Sequence, residues 1–430
     1  MTHRRSTLPV AAGVILAVAL TGCSGFGGGG DDESEPGSLT FTTWASESEQ
    51  AAFEELIAEF ESSHEGASVE LNVVPYDQMF SNIDAQLSSG EAPDVFRVDY
   101  GNLGVYSSQE QLLDLSDYVT EEEADAFTPA FWEAVSYDGV PYGVPHQTDV
   151  SALLLNLPLM EAAGITDIPT TLEDAWTWEE FADVAARLRA SLPAEQYPFV
   201  YNWQLGGTPR WLSWVFQADG ALLEDDGTTP AIDSPEAAKA LDFTKSFFDN
   251  GWVPPTSSVK SATYADAFFT EGTVAMAFAG SFLVPDIDNL ADFEWTATPM
   301  PVDERGATDL GGNALVATAE TDEADLAVEF LEFMASPQNM TAFCAATNEL
   351  PTRVDIDPAD IRFAVRPDVM PVFVEQATTI QPSDVKQLTS PYLAEIAVGM
   401  QDQLEQAFVS GQGTDETLAG IAAAVEQATD

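Results

Sequence analysis

Hydrophobic residues in the segment 39–98 alternate between the spacing of strands and that of helices. Strand-like runs occupy Leu39–Trp44, Val69–Val73 and Val95–Val98. Between them, the apolar residues of Phe53–Phe60 and Phe80–Leu87 recur at the spacing of one helix face. This β-α-β-α-β order predicts an α/β fold with a parallel, doubly wound sheet flanked by helices.

The ends of these strands are candidate ligand-binding positions, because ligands of such sheets bind beyond the carboxyl ends of the strands. Trp44 follows the first strand, and Asp99 and Tyr100 follow the third. We therefore expect these three residues at a ligand site. For Asp99 the alternative is a cap on the turn that follows.

Further helices are indicated by capping motifs and helical spacing in the rest of the chain. Thr177 and Glu180 have the spacing of a capping box, and Ser234-Pro235 joins a typical N-cap to a first-turn proline. The segment 393–428 is acidic and has a helical pattern. A glycine-rich phosphate loop, a cysteine or histidine cluster and a G-x-S-x-G motif are all missing, so the sequence predicts no cofactor, no metal and no catalytic residues.

The charge of the chain is strongly acidic. Against 14 Lys and Arg stand 72 Asp and Glu, which gives a formal net charge of −58. A field of this sign repels phosphate backbones, so nucleic acid is excluded as a partner. Nothing in the sequence requires an oligomer, and we expect a monomer.

The N-terminus has the pattern of an export signal. Arg4 and Arg5 precede an apolar run at 8–20 that is too short to span a bilayer comfortably. The run ends in Leu20-Thr-Gly-Cys23, which resembles the bacterial lipobox. We therefore predict a lipoprotein signal peptide at 1–22, lipidation of Cys23 and a flexible Gly-rich and acidic tether at 23–37. The paired arginines leave the general and the twin-arginine export routes both open.

Seven short stretches, in the order of a known family, are distributed along nearly the whole mature chain. They are Leu39–Trp44, Glu91–Phe96, Tyr137–Pro145, Glu271–Phe282, Leu310–Asn313, Ala324–Ser336 and Leu350–Arg353. In these stretches the chain resembles the maltose-binding-like extracellular solute-binding proteins (family 1) that serve bacterial carbohydrate ABC importers. Two positions depart from the pattern, since Phe282 stands where tryptophan is frequent and Leu155-Asn156 replaces a tyrosine–asparagine pair.

The resemblance implies a two-lobe periplasmic-binding-protein-like fold of type II, with parallel-rich sheets and a ligand cleft between the lobes. Lobe one would be 38–148 plus 298–342, and lobe two would be 149–297 plus 343–430. The protein would be lipid-anchored to the outer face of the cytoplasmic membrane, in the cell envelope. There it would capture a sugar or oligosaccharide and deliver it to the permease subunits.

The side chains that a sugar site needs are hydrogen-bonding groups for hydroxyls and flat aromatic rings for the C–H faces. Such residues at expected loops, crossovers and family motifs give the candidate set. It comprises Trp44, Glu47, Asp99, Tyr100, Gln147, Asp149, Trp203, Trp214, Gly280, Ser281, Phe282, Gly311, Gly312, Asn313 and Arg353. The alternative for Trp203 and Trp214 is a place in the core, and for Arg353 it is a structural ion pair.

Two other functions remain open from the sequence alone. The same fold could bind a polyamine or another small cation, because the chain is acidic. A secreted glycoside hydrolase would need a pair of carboxylates across a cleft, and acids are too abundant here to exclude such a pair. We expect a binding protein rather than an enzyme.

Overall fold

The computed structural model describes residues 37–203, 207–261 and 263–430. The predicted signal peptide, Cys23 and the tether up to residue 36 therefore lie outside the described residues. In the described part of the chain, no helix has both the length and the apolar character needed to cross a membrane.

The strands form two main sheets and a short hairpin. In chain order they are β1 Ser38–Thr43, β2 Ser68–Val73, β3 Val95–Asp99, β4 Ser136–Tyr137, β5 Val140–Pro141, β6 Val144–Gln147, β7 Ser151–Asn156, β8 Tyr197–Val200, β9 Val274–Gly280, β10 Trp295–Thr298 and β11 Asn313–Ala317. The first sheet has the order β2-β1-β3-β11-β6, and the second has the order β10-β7-β9-β8.

Helices cover these sheets and form a long C-terminal segment. They are α1 Glu47–Ser63, α2 Tyr76–Ser89, α3 Tyr100–Ser108, α4 Glu121–Ala124, α5 Pro129–Ala134, α6 Leu157–Ala162, α7 Trp178–Ser191, α8 Leu212–Gln217, α9 Pro235–Asp249, α10 Ala265–Thr270, α11 Val284–Leu290, α12 Ala324–Met334, α13 Pro337–Thr347, α14 Met370–Ala377, α15 Pro382–Leu388, α16 Leu393–Ser410 and α17 Thr414–Thr429. The predicted helical tail is confirmed as α16 and α17.

The β-α-β-α-β prediction is confirmed, since β1 pairs in parallel with both β2 and β3. The strands that enter a sheet directly from the other sheet behave differently. β11 pairs antiparallel with β3 and β6, and β7 pairs antiparallel with β9 and β10. The sheets are therefore mixed, and the predicted parallel-rich character holds only where strands alternate with crossover helices.

Side chains at the predicted helix starts make the expected caps. The Thr177 hydroxyl accepts from the backbone N–H of Glu180 (3.2 Å), whose carboxylate accepts in return from the backbone N–H of Thr177 (2.8 Å). The Ser234 hydroxyl accepts from the backbone N–H of Ala237 (3.2 Å) at the start of α9. Each cap pairs backbone donors that the first turn would leave free, and so it fixes where the helix begins.

Three passages of the chain meet between the two sheets. Residues 148–150 lead from β6 to β7, and residues 299–312 lead back from β10 to β11. The backbone of Thr148 exchanges two hydrogen bonds with that of Leu350, both 2.8 Å long, which brings in the segment after α13. The predicted lobe boundaries, at 148, 297 and 342, stay predictions.

The close contact at this crossing predicts a large cost for adding a side chain to Gly312. Gly312 has a φ of +93°, and a Cβ there would meet Thr148 Cα and lie 2.5 Å from the carbonyl oxygen of Gln147. Gly139 in the β4–β5 turn has a φ of +78° with open space around it. Both substitutions to alanine add left-handed strain of about 1–2 kcal/mol, but only Gly312→Ala adds a backbone clash.

We expect Gly312→Ala to lower the free energy of unfolding by about 2 kcal/mol more than Gly139→Ala. Chemical denaturation of both variants measures the difference. Equal losses would mean that the passages at Thr148 separate easily, contrary to this description of the crossing.

Candidate functional site

The ends of several strands come together where the two sheets adjoin. In the first sheet, Asp99 at the end of β3 lies opposite Asn313 at the start of β11, and Asn313 lies opposite Gln147 at the end of β6. In the second sheet, Ser151 at the start of β7 lies opposite Gly280 at the end of β9. Since only residues 148–150 separate β6 from β7, these strand ends lie in one region, which we call the junction.

Asp99 accepts hydrogen bonds from three side chains at the junction. The Tyr76 hydroxyl (2.8 Å) and the Asn102 amide (3.3 Å) donate to Oδ2. The side-chain amide of Asn313 is oriented so that all its hydrogen-bond partners are satisfied, and in that orientation its nitrogen donates to Oδ1 (2.8 Å). Asp99 precedes α3 as its N-cap residue, but its carboxylate bonds side chains instead of the helix backbone. Burial raises the pKa of Asp99, and the hydrogen bond from Tyr76 opposes that rise.

Gln147 is fully buried and links β6 to β11. Its Nε2 donates to the side-chain oxygen of Asn313 (2.5 Å), and its carbonyl oxygen accepts from the Tyr100 hydroxyl (3.0 Å). Its own Oε1 has no hydrogen-bond partner within the described residues. Tyr100 is 1% exposed. Through its bond to Gln147, its hydroxyl supports the junction from the core, and its predicted contact with a ligand stays a prediction.

Asp149 lies in the first crossing, with its carboxylate packed against glycine backbone. A Cβ on Gly311 would lie 2.5 Å from Asp149 Oδ2, and a Cβ on Gly280 would lie 3.0 Å from Asp149 Oδ1. Across ranges 37–203, 207–261 and 263–430, Asp149 Oδ1 has no hydrogen-bond partner. Burial, followed by the charge of Asp309, raises the pKa of Asp149 to about 7, and the charge of Arg210 opposes this rise. The carboxyl group is thus able to donate or accept near neutral pH.

Arg210 belongs to the junction, although the sequence analysis did not select it. Its Nε donates to Asp309 Oδ2 (2.9 Å), and Asp309 Oδ1 accepts from the backbone N–H of Ser151 at the start of β7 (2.9 Å). The ion pair therefore ties the 3-10 turn Thr208–Trp211 to the second crossing. The sequence did carry one signal for Arg210. Basic residues are rare in this chain, with only 14 Lys and Arg, and Arg210 stands directly before a tryptophan.

Aromatic rings with accessible surface surround the junction. Trp44 is partly buried and meets the Tyr76 ring edge-on, with centroids 5.2 Å apart. Tyr76 and Tyr264 are each 42% exposed, and Phe282 is 37% exposed. Burial raises the pKa of the Tyr264 hydroxyl while the nearby charge of Arg210 lowers it, which indicates that this hydroxyl lies near the junction.

The sequence analysis selected Trp44 and Phe282 but missed the two tyrosines. Tyr76 begins α2 shortly after β2 ends, so the strand-end argument that selected Trp44 would also have found it. Tyr264 carries no comparable signal, because it precedes a short helix in an irregular segment.

Trp203 and Trp214 lie in the core beside the second sheet. A place in the core was the alternative to ligand binding for both residues. Each is 0% exposed. The Trp203 ring stacks on Phe248 (centroids 5.8 Å apart) and on Phe408 (5.1 Å), and its Nε1 donates to a backbone carbonyl. The Trp214 ring packs edge-on against Phe278 at 5.6 Å. The prediction that these rings are ligand platforms is not supported, because other aromatic side chains already contact them.

Arg353 and Glu47 also lie apart from the junction contacts. Arg353 makes two hydrogen bonds of 2.8 Å with the carboxylate of Asp355 and lies 5.0 Å from the Phe127 ring centroid. The structure thus favours the ion-pair alternative for Arg353. Glu47 is the exposed first residue of α1.

Ser281 adds a further buried oxygen next to Gly280. It is 0% exposed, and in the part of the chain that the structure describes its Oγ has no hydrogen-bond partner. Gln147, Asp149 and Ser281 thus each have a buried oxygen without a hydrogen-bond partner among the described residues. Leaving such oxygens unpaired costs free energy, so they suit a ligand that brings hydrogen-bond donors. Among the described residues, no group of three His, Cys, Asp or Glu side chains could hold a metal ion.

Comparison with known proteins gives a consistent result. Residues 44–341 match the family model described as bacterial extracellular solute-binding protein. The maltodextrin-binding protein MdxE of Bacillus subtilis is 25% identical over 431 residues, covering 96% of this chain and 94% of the relative. An uncharacterized lipoprotein of Streptomyces antibioticus is 27% identical over 369 residues, covering 83% and 78%.

Solved structures share the fold. The ABC substrate-binding protein Lmo0181 of Listeria monocytogenes, in complex with cycloalternan, superposes with a TM-score of 0.77 at 20% identity, covering 91% of this chain and 98% of that one. This agreement confirms the predicted type II periplasmic-binding-protein fold. Because the family model spans more than half of the sequence, the chain belongs to the bacterial extracellular solute-binding protein family.

Proposed function

We propose that this protein captures a carbohydrate at the junction and delivers it to an ABC permease. The observation that carries the proposal is the combination of accessible aromatic rings with buried oxygens that have no hydrogen-bond partner among the described residues. Gln147 Oε1, Asp149 Oδ1 and Ser281 Oγ supply the oxygens, and Tyr76 and Phe282 supply ring surface.

The chemistry of a sugar matches this combination. Sugar hydroxyls donate hydrogen bonds to carboxylate and amide oxygens, and the bonds to charged acceptors are the stronger ones. The C–H faces of a pyranose pack on flat aromatic surfaces, which tyrosine, phenylalanine and tryptophan provide. A maltodextrin-binding relative and a neighbour in complex with cycloalternan support the same ligand class.

Binding and closure would be linked because ligand groups contact both sheets. Asp99 and Gln147 come from the first sheet, while Ser281 and Phe282 follow a strand of the second. A ligand that bridges them favours the arrangement in which both sets of contacts form, since only differential affinity shifts such a balance. The protein would act as a monomer and as a binding protein without catalysis.

The place of action would be the outer face of the cytoplasmic membrane. The lipobox at 20–23 and the tether at 23–37 support lipid anchoring through Cys23, and a relative described as a lipoprotein agrees with it. Anchoring would keep the captured solute close to the permease.

A small cation such as a polyamine is the second candidate. Asp99, Asp149 and Asp309 bring three carboxyl groups to the junction, and Arg210 is paired with Asp309. With a pKa of about 7, Asp149 is about half protonated at neutral pH, so it offers a cation less negative charge than an ordinary aspartate and can both donate to and accept from sugar hydroxyls.

Calorimetry with neutral oligosaccharides, monosaccharides and polyamines tests the proposed ligand class. We expect heat of binding for at least one neutral sugar, with competition from related sugars and none from spermidine. Small-angle scattering of the same samples should show a smaller radius of gyration with the bound sugar. Binding of polyamines alone would replace the proposal, and release of reducing sugar would contradict the absence of catalysis.

Truncating Phe282 should weaken sugar binding while leaving the fold intact. Phe282 is 37% exposed next to Gly280, so Phe282→Ala removes ring surface without opening a core cavity. We expect an affinity about three- to tenfold lower, which corresponds to the loss of one aromatic contact. Leu290→Ala, at an exposed position on the following helix, is the control. Equal affinities for Phe282→Ala and the control would remove Phe282 from the site.

Asp149→Asn should stabilise the ligand-free protein more at alkaline than at acidic pH. The pKa of Asp149 is about 7 when folded and about 4 when unfolded. The folded state therefore binds this proton more tightly, and wild-type stability falls as the pH rises from about 4 to about 7. Asparagine does not titrate, so the variant does not lose stability as the pH rises through this range.

We expect the advantage of Asp149→Asn in unfolding free energy to grow by about 2 kcal/mol between pH 5.5 and pH 8. Denaturation at both values measures it, with exposed Asp292→Asn as the control. An advantage that is constant with pH would contradict a raised pKa at the junction.

A further inference from the structure

Arg97 on β3 is a buried cation that the proposed function has not yet used. It is 1% exposed, and its hydrogen bonds and ion pairs are made to other residues of the chain. Its guanidinium contacts two residues of the junction, Trp44 and Asn313, together with Glu49 and Glu349. These contacts connect segments that are far apart in the chain.

The contact with Trp44 restricts both its backbone and its ring. Arg97 Nη1 donates to the carbonyl oxygen of Trp44 (3.1 Å), and the guanidinium carbon lies 4.6 Å from the centroid of the indole. A desolvated cation over an indole face is strongly attracted to it. The Trp44 residue is therefore held by Arg97 at both its ring and its backbone carbonyl.

The contact with Asn313 fixes the orientation of its amide. Arg97 Nη2 donates to the Asn313 side-chain oxygen (2.9 Å), which leaves the amide nitrogen to donate to Asp99. Because a guanidinium only donates, the reverse orientation of this amide is excluded. Arg97 thus decides which atom of Asn313 faces Asp99 and, through it, how the Asp99 carboxylate is held.

Glu49 and Glu349 hold the guanidinium itself in place. Glu49 Oε1 lies 2.6 Å from Nη1, and Glu49 Oε2 accepts from the backbone N–H of Ser46 (2.7 Å) in the capping box of α1. Glu349 is more distant, at 3.4 Å. Burial opposes ionisation of both acids, but Arg97 lowers the pKa of Glu49, whereas the pKa of Glu349 stays well above its usual value. One cation therefore balances one anion, Glu49.

We propose that Arg97 is a positioning residue, which holds the Trp44 indole and the Asn313 amide in the orientation that the ligand requires. This inference rests on the proposed function of the junction. The planar fork of Arg97 makes contacts in two directions at once, which a lysine ammonium cannot reproduce.

Arg366 provides an internal control, because it makes a similar arginine–tryptophan contact at a more exposed position. Its guanidinium lies 4.1 Å from the Trp295 ring centroid and donates to the Trp295 carbonyl oxygen (3.0 Å), and Asp368 is its ion-pair partner. Within the described part of the chain, its hydrogen bonds and ion pairs are with Trp295, Asp288 and Asp368, which lie outside the junction. Substitution of Arg366 therefore removes a similar arginine–tryptophan contact without altering the proposed site.

The variants are chosen to keep buried charge balanced. Arg97→Lys retains the cation. The double variant Arg97→Met/Glu49→Gln removes both members of the ion pair, because removing one partner alone would leave an uncompensated buried charge. Arg366→Met with Asp368→Asn is the matched control. Full-length proteins labelled with [15N]tryptophan report the nine indole N–H signals, and Trp44→Phe assigns that of Trp44.

In the absence of ligand, we expect both Arg97 variants to shift or broaden the Trp44 indole signal and to leave the Trp295 signal unchanged, with the converse in the control. For a sugar that the wild type binds, we expect an affinity about tenfold lower in the Arg97 variants and unchanged in the control. Arg97→Lys should keep a melting temperature near that of the wild type and still show the weaker binding.

An unchanged Trp44 signal in Arg97→Lys, or wild-type affinity in either Arg97 variant, would overturn the inference. Failure of the wild type to bind any sugar would instead count against the proposed function, and the indole signal would still decide whether Arg97 positions Trp44. Combining Trp44→Ala with Arg97→Lys should weaken binding little more than Trp44→Ala alone, because Arg97 then has no indole to position. Any additional loss of affinity would come from the contact of Arg97 with Asn313.

Discussion

The backbone contacts of Thr148 and Asp149 hold three passages of the chain together, and the rest of the structure depends on them. Thr148 exchanges two backbone hydrogen bonds with Leu350, and its hydroxyl donates to the carbonyl oxygen of Gly311 (3.0 Å). The Asp149 carbonyl oxygen accepts from the N–H of Gly311 (3.1 Å). Because these bonds fix the crossings, the strand ends of both sheets present their side chains to one region. The proposed ligand site is assembled there from strand ends and crossings rather than from a local motif.

Buried polar groups at this crossing serve two different purposes. Glu49 and Arg97 satisfy each other and are stabilised as a pair, which holds neighbouring side chains in place. Asp149, Gln147 and Ser281 keep oxygens without partners among the described residues, and such oxygens cost free energy until a donor arrives. Under the proposed function, the free energy that a ligand recovers by pairing them would favour binding and, through contacts to both sheets, closure.

Much of the first sheet could be predicted, because β1, α1, β2, α2 and β3 each carry their own hydrophobic spacing. The strand-end and crossover arguments selected Trp44, Asp99 and Asp149, which the structure brings to the junction; their contact with a ligand stays a prediction. Composition could not separate a ligand platform from a core ring, and Trp203 is covered by Phe408 from the C-terminal helix α16. Arg97 and Arg210 escaped prediction because their partners are remote. Asp309 lies 99 positions from Arg210, and Glu349 lies 252 positions from Arg97.

A crystal structure of the protein with its bound carbohydrate tests the central claim most directly. We expect sugar hydroxyls within hydrogen-bond distance, about 3 Å, of Asp149 Oδ1 and Gln147 Oε1. We also expect a sugar face packed on Trp44, Tyr76 or Phe282. A ligand bound elsewhere, or one that leaves the Asp149 and Gln147 oxygens without a partner, would contradict it.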